Sequence, residues 1–145
     1  MLSFETLNYE NVSRVALLEK ECFGKHAWSE NLLREEIPQE NKHYIVCLDG
    51  DKVVAYGGFA QVLDEAHIMN IAVSESYRKQ GIGTIIIKKI IELSKENNIG
   101  SLTLEVRESN TPARNLYEKH SFILAGVRKG YYQNEENACI YWRVL

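Results

Sequence analysis

The chain has 145 residues, 45% of them hydrophobic and 26% charged, with 17 basic and 20 acidic side chains and a formal net charge of −3. That balance excludes a disordered tail or a collagen-like repeat, and suits one compact domain, residues 1–145, able to bury a core without staples. The basic surplus that gives general nucleic-acid binders their affinity is missing, the start MLSFETLNYE lacks a secretory pattern, and the apolar stretches are too short for a bilayer, so no nucleic-acid or membrane partner and a cytoplasmic location are expected.

In chain order, Val12, Val15, Ala16 and Leu18 fall on one face of a helix over Asn11–Cys22. Ser29 is placed to cap a short second helix carrying Leu32 and Leu33, which Pro38 ends. HYIVCLDGDKVVAYGGFAQV reads as two strands around an Asp49-Gly50 turn, and AHIMNIAV, Ala66–Val73, as a third strand. After a turn-like SESYRKQGIG, helical spacing runs through Ile82, Ile86, Lys89, Ile90 and Leu93 until Asn97, Asn98 and Gly100 stop it. SLTLEVR, Ser101–Arg107, alternates as a strand, with Leu102, Leu104 and Val106 on one face and Thr103 and Glu105 on the other. Thr111-Pro112 reads as a helix start, threonine as cap and proline in first position, for a helix to about His120. Two closing strands follow near Phe122–Arg128 and Glu136–Val144. The order predicts a mixed α/β fold, an α+β arrangement with a mostly antiparallel sheet and helices packed on it, and not a doubly wound one. Cys22, Cys47 and Cys139 are scattered without metal-ligand spacing and read as small core residues, so no metal is expected.

The most informative segment is Arg78-Lys79-Gln80-Gly81-Ile82-Gly83-Thr84, between a strand and a helix. Its glycines let a backbone approach a ligand closely, and the next helix offers free N–H groups and a positive dipole end, which suit pyrophosphate. Glycines alone serve a plain turn equally well. The spacing RxxGxG after a strand ending Ile71-Ala72-Val73 favours the phosphate cradle. It is neither a Walker loop nor a dinucleotide GxGxxG.

This combination resembles the GNAT acyltransferase superfamily, whose signature is [RQ]xxGx[GA] opening a helix. The resemblance extends over nearly the whole chain in element order. It implies that Lys79, Gln80, Gly81, Ile82, Gly83 and Thr84 hold the pyrophosphate of acetyl-CoA, that Ile71, Ala72 and Val73 lend backbone to its pantetheine arm, and that Asn110 contacts coenzyme A. A plain turn is the competing reading of Asn110. LDEAHIMNIAV, LEVRESN, ARNLYEKHSF, Trp28-Ser29-Glu30 and the late Arg128, Tyr131 and Tyr132 are further similar to the RimI-type N-terminal alanine acetyltransferases. Those act on the terminal alanine of small-subunit ribosomal protein eighteen, which makes a protein N-terminus the implied partner.

Acetyl transfer poses two proton problems. The acceptor ammonium must lose a proton before nitrogen attacks, and the departing thiolate gains from receiving one. By the same resemblance Glu105 is the base and Tyr117 the acid; read from their strand and helix alone, they are a solvated glutamate and a packed tyrosine. Tyr131 and Tyr132, with Asp64 and Glu65, are candidates to line the acceptor's path, or else strand-end aromatics and a charged turn. Three positions depart from the pattern: Ser121 where glycine is common, Asn137 where aspartate is common, and His26-Ala27 in place of a proline before Trp28. A small-amine acetyltransferase and a noncatalytic acyl-CoA-binding module are the rival readings.

Overall fold

The turn at Gly50, at φ +63, joins two long antiparallel strands that organise the first half of the chain. In the computed structural model, which describes residues 1–69, 71–132 and 136–145, these are β2 (Lys42–Asp49) and β3 (Lys52–Val62). The chain divides into two compact units, residues 1–60 with 69–92 and residues 61–68 with 93–145.

In the first unit β1 (Leu2–Thr6) pairs antiparallel with β2, from Leu2↔Asp49 to Thr6↔Ile45. The sequence reading contained no such strand. LSFET is short and lies at the sheet edge, so its partner strand rather than its own pattern specifies it. Two helices follow, α1 (Val12–Phe23) and α2 (Glu30–Glu36). Val12, Val15 and Leu18 of α1 and Leu33 of α2 join Val46, Val53 and Tyr56 of the hairpin in one apolar core. Ser29 caps α2 as expected, accepting from the Leu32 N–H at 3.2 Å. α3 (Ile82–Glu96) buries Ile82, Ile86, Ile87, Ile90 and Ile91. It ends on Asn98 at φ +59, a left-handed position that asparagine tolerates.

The expected single strand over Ala66–Val73 is two strands. β4 (Glu65–Ile68) belongs to the second unit, and β5 (Ala72–Val73) pairs antiparallel with β3 through Tyr56↔Ala72 and Ala55↔Val73. Gly57 lies against this stretch, where a Cβ would meet Ile71 and Ile86 side-chain carbons at 3.0 Å. The missing side chain lets Ile71 occupy that space, a long-range fit that no local pattern records.

The second unit holds four strands in the order β4-β6-β8-β7, where β6 is Ser101–Arg107, β7 Ile123–Arg128 and β8 Ala138–Val144. β4 runs parallel to β6, and the other two pairings are antiparallel. Leu102, Leu104 and Val106 are buried as the alternation of SLTLEVR requires, with Tyr141 and Phe122. α4 (Thr111–Lys119) begins one residue earlier than the sequence suggested. Asn110, not Thr111, is the cap: its side chain accepts from the Ala113 N–H at 3.3 Å, and Pro112 sits in the first turn. Asn and Thr both cap well, so spacing alone does not choose between neighbours.

Glu19 on α1 is fully buried, and its Oε1 accepts from the Trp28 N–H at 3.0 Å, which ties the connection between α1 and α2 back onto α1. Burial raises its pKa above the ordinary 4.5 and outweighs the Trp28 N–H and Tyr56 hydroxyl bonds that favour the charged form. The folded state thus holds a proton that the unfolded chain has released, and stability is lost as pH rises from 4.5 through the folded pKa. Glu19→Gln keeps the acceptor for Trp28 without ionising. In paired thermal melts across pH, the stability of the variant minus that of the parent should grow as pH rises through this window. A flat difference would show that Glu19 does not titrate.

Ser121, where glycine was expected, does make the left-handed turn after α4, at φ +68, while the Phe122 N–H bonds the Tyr117 carbonyl at 3.0 Å. A β-carbon there costs about 1 kcal/mol. Ser121→Gly should recover most of that and raise Tm by roughly 2–4 °C, read by calorimetry; a fall in Tm would mean that the serine hydroxyl matters more than the backbone strain.

Candidate active site

In the first unit, β5 leads through a short 3₁₀ turn, Glu75–Tyr77, into the glycine loop. Glu21 of α1 braces the start of that turn, accepting from the Ser74 hydroxyl at 2.9 Å and the Glu75 N–H at 2.9 Å; these bonds hold its pKa below the usual carboxylate range. The Arg78 Nε donates to the Val73 carbonyl at 2.9 Å. The Arg78 side chain therefore clamps the loop back onto β5. Lys79, Gln80 and Gly81 are exposed, Gly83 and Thr84 half-buried, and Ile82 is buried in the helix root.

Lys79 and Gly81 both have left-handed φ, +64 and +82, and a Cβ at Gly81 would meet no heavy atom within 4 Å. The loop is an open turn running into the N-terminus of a 15-residue helix. Such backbone, with a lysine and a positive dipole end, fits a pyrophosphate. Ala72 is buried, and Ile71 and Val73 are half-buried. The Val73 carbonyl accepts from the Cys22 thiol at 3.5 Å as well as from Arg78. Cys22 is thus a half-buried neighbour of β5 rather than a residue of the deep core, and burial raises its pKa, so it stays a thiol.

In the second unit, Glu105 lies mid-strand in β6, its side chain 19% exposed, with the Arg128 Nη1 3.4 Å from its Oε1. The Tyr131 hydroxyl bonds the same carboxylate, which raises the Tyr131 pKa. Tyr132 lies edge-on to Tyr131, with ring centroids 5.1 Å apart, and the Arg107 guanidinium sits over the Tyr132 ring at 4.0 Å. Glu136 holds this corner by pairing with Arg107 at 3.2 Å and accepting from the Ser109 N–H at 3.0 Å. Asn137, where aspartate is common, accepts from the Gly130 N–H at 3.0 Å and so pins the turn that carries Tyr131.

Tyr117 on α4 is buried against Phe122, edge to face at 5.7 Å, and Tyr141 at 6.4 Å. Burial first, and then its neighbour Tyr132, push its pKa up, so the phenol keeps its proton at neutral pH. Tyr132 also feels the charge of Glu105, one of the causes that raise its pKa after burial. Asp64 and Glu65 are exposed at the start of β4, and the Asp64 carbonyl accepts from the Gly100 N–H at 2.6 Å.

Residues 12–122 match the model of the acetyltransferase (GNAT) family. The chain belongs to that family. A Bacillus subtilis relative with the provisional name ribosomal protein bS18-alanine N-acetyltransferase is 34% identical over 137 residues, 94% of this chain and 91% of its own. The crystal structure of the Escherichia coli ribosomal-protein-S18-alanine N-acetyltransferase superposes with a TM-score of 0.90 at 28% identity, covering 99% of this chain and 94% of that one. Arabidopsis thaliana NAA60 in complex with acetyl-CoA has the same fold, with a TM-score of 0.89 at 16% identity over 100% of this chain and 99% of that one. The expected fold class, family and enzyme class are thereby confirmed, and this is a family of acetyltransferases.

Arg128 and Arg107 were not singled out as site residues by sequence, because nothing local says that they meet Glu105 and Tyr132. Asn110, expected at coenzyme A, commits its side chain to the cap of α4. Asn110→Ala should lower stability by about 1 kcal/mol, and Asn110→Ser, which keeps a capping oxygen, by only a few tenths. Paired melts check this, and equal melts for the two variants would remove the cap as the residue's role.

Proposed function

We propose that residues 1–145 act as one acetyl-CoA-dependent N-acetyltransferase domain whose acceptor is the α-amine of a protein N-terminus, that of the small-subunit ribosomal protein bS18 with its first alanine. The observation that carries the reading is a largely covered glutamate, Glu105, mid-strand in a GNAT chain, with Tyr131, Tyr132 and a buried, protonated Tyr117 in the same unit. The acceptor assignment rests on the names of the relatives, matched over almost the full chain.

Bound acetyl-CoA supplies an activated acetyl group on sulfur. The chain holds its pyrophosphate with Lys79, Gln80, Gly81, Ile82, Gly83 and Thr84, and its pantetheine arm with the backbone of Ile71, Ala72 and Val73. Asn110 caps α4 through its Oδ1 and contacts coenzyme A from the same position. Glu105 accepts a proton from the acceptor's ammonium, directly or through a water, which frees the nitrogen lone pair for attack. The nitrogen attacks the thioester carbonyl carbon and the carbon–sulfur bond breaks; Tyr117 hands its proton to the departing sulfur and takes back the surplus proton of the new amide nitrogen, so that no buried tyrosinate is left. The segments that carry Glu105 and Tyr117, LEVRESN and ARNLYEKHSF, contain no cysteine, so the acetyl group moves directly to nitrogen in a ternary complex without an acetyl-cysteine.

The test is acetyl-CoA turnover with a peptide beginning with alanine beside a panel of small amines. Acetylation confined to the peptide's α-amine supports the reading. Turnover with small amines alone keeps the chemistry and removes the ribosomal acceptor, and coenzyme A binding without any turnover leaves a noncatalytic module. Glu105→Gln and Tyr117→Phe should each lower kcat about 100-fold or more, with acetyl-CoA affinity unchanged by calorimetry. A parallel loss of affinity would assign either residue to binding instead.

A further inference from the structure

Arg128 reaches Glu105 because of an irregularity in β7. Pairing with β8 runs through Leu124↔Tyr141 and resumes as Gly126↔Ile140 and Arg128↔Ala138, so Ala125 is an extra residue. Without it Val127 would stand opposite Ala138, and Arg128 would turn to the other face of the sheet. On β6, Glu105 lies opposite Ile140 and Arg107 opposite Ala138. The bulge therefore brings Arg128 onto the face of Glu105, where its Nη1 lies 3.4 Å from the Glu105 Oε1. The Tyr131 ring lies 4.8 Å under the guanidinium, and the Tyr131 hydroxyl bonds the same carboxylate.

The two partners are covered unequally. Glu105 is 19% exposed and Arg128 52%, so the arginine can swing to solvent while the glutamate stays. A largely covered carboxylate needs a counter-cation, and Arg128 supplies one while no acceptor is bound. We propose that Arg128 is a specificity-determining residue: its guanidinium holds the place of the acceptor's ammonium at Glu105 and gives way only to a group that brings its own positive charge. This rests on the reading of Glu105 as the base. Water or a neutral amine cannot replace the lost ion pair, so the pair stays closed against them. A protonated α-amine replaces it charge for charge, and the displaced guanidinium keeps the Tyr131 ring as a partner.

The experiment uses the full chain with coenzyme A, which lacks the acetyl group, and a peptide beginning with alanine titrated by calorimetry, alongside steady-state kinetics. Arg128→Gln removes the competitor, so the peptide's Kd and KM should fall by about fivefold, the worth of one partly exposed ion pair, with kcat little changed. Arg128→Lys keeps a cation and should stay near the parent. In a Glu105→Gln background the same Arg128→Gln change should leave Kd where it was, because the carboxylate through which it acts is gone. An unchanged or weaker Kd in Arg128→Gln, or an equal gain in the Glu105→Gln background, overturns the proposal. The base assignment is judged separately by the turnover of Glu105→Gln alone, so it can stand while this proposal falls.

Discussion

The surroundings of Glu105 depend on the phase of one strand. A β-strand shows alternate residues to opposite faces, so a single inserted residue exchanges every side chain beyond it. Ala125 is that residue in β7, and beyond it Val127 faces one way and Arg128 the other. The consequences converge on one corner of the second unit. Arg128 pairs with Glu105 and covers Tyr131, Tyr131 meets Tyr132, and Arg107 with Glu136 closes the other side. The chemistry proposed for Glu105 thus has its electrostatic setting fixed by a backbone irregularity rather than by its own strand.

The first unit solves a different problem, keeping polar groups inside an apolar core. Asn11 is fully buried and satisfied on each side, accepting from the Asn8 N–H at 2.9 Å and donating to Glu5 and the Thr6 carbonyl at 2.9 Å each. It joins the end of β1 to the start of α1. Glu36 is likewise held by Lys42 at 2.8 Å and the Tyr44 hydroxyl at 2.7 Å. Breaking one member of such a group leaves a buried charge without a partner, which costs far more than the intact pair contributes. Glu19 is buried as well, and burial raises its pKa. Its bond to the Trp28 N–H secures a fixed path between α1 and α2. The glycine loop of the same unit is secured in a similar way, by Glu21 and Arg78 acting on Ser74, Glu75 and Val73.

Much of this was legible in the residues themselves. Helical spacing on α1 and α3, the alternation of SLTLEVR, the Asp49-Gly50 turn and the RxxGxG loop are local patterns, set by periods of 3.6 and 2 and by the few residues that accept left-handed backbone. They determined the mixed α/β class and the order of the helices and most strands, and they marked a loop suited to pyrophosphate. The departure at Ser121 was visible in the sequence, and its φ of +68 shows that serine makes the turn there.

Tertiary structure decided what depends on partners distant in sequence. β1 exists because β2 pairs with it, and Ile71 fits beside Gly57. Arg78 turns inward to Val73, and Asn110 rather than Thr111 caps α4. Arg128 meets Glu105 only after three strands are in register. Local sequence carries backbone preference and face periodicity; it does not carry register, and one residue of register decides which charges share a face. The sequence by itself therefore determined which groups are candidates for acetyl transfer, and the folded sheet decided which neighbours each of them keeps.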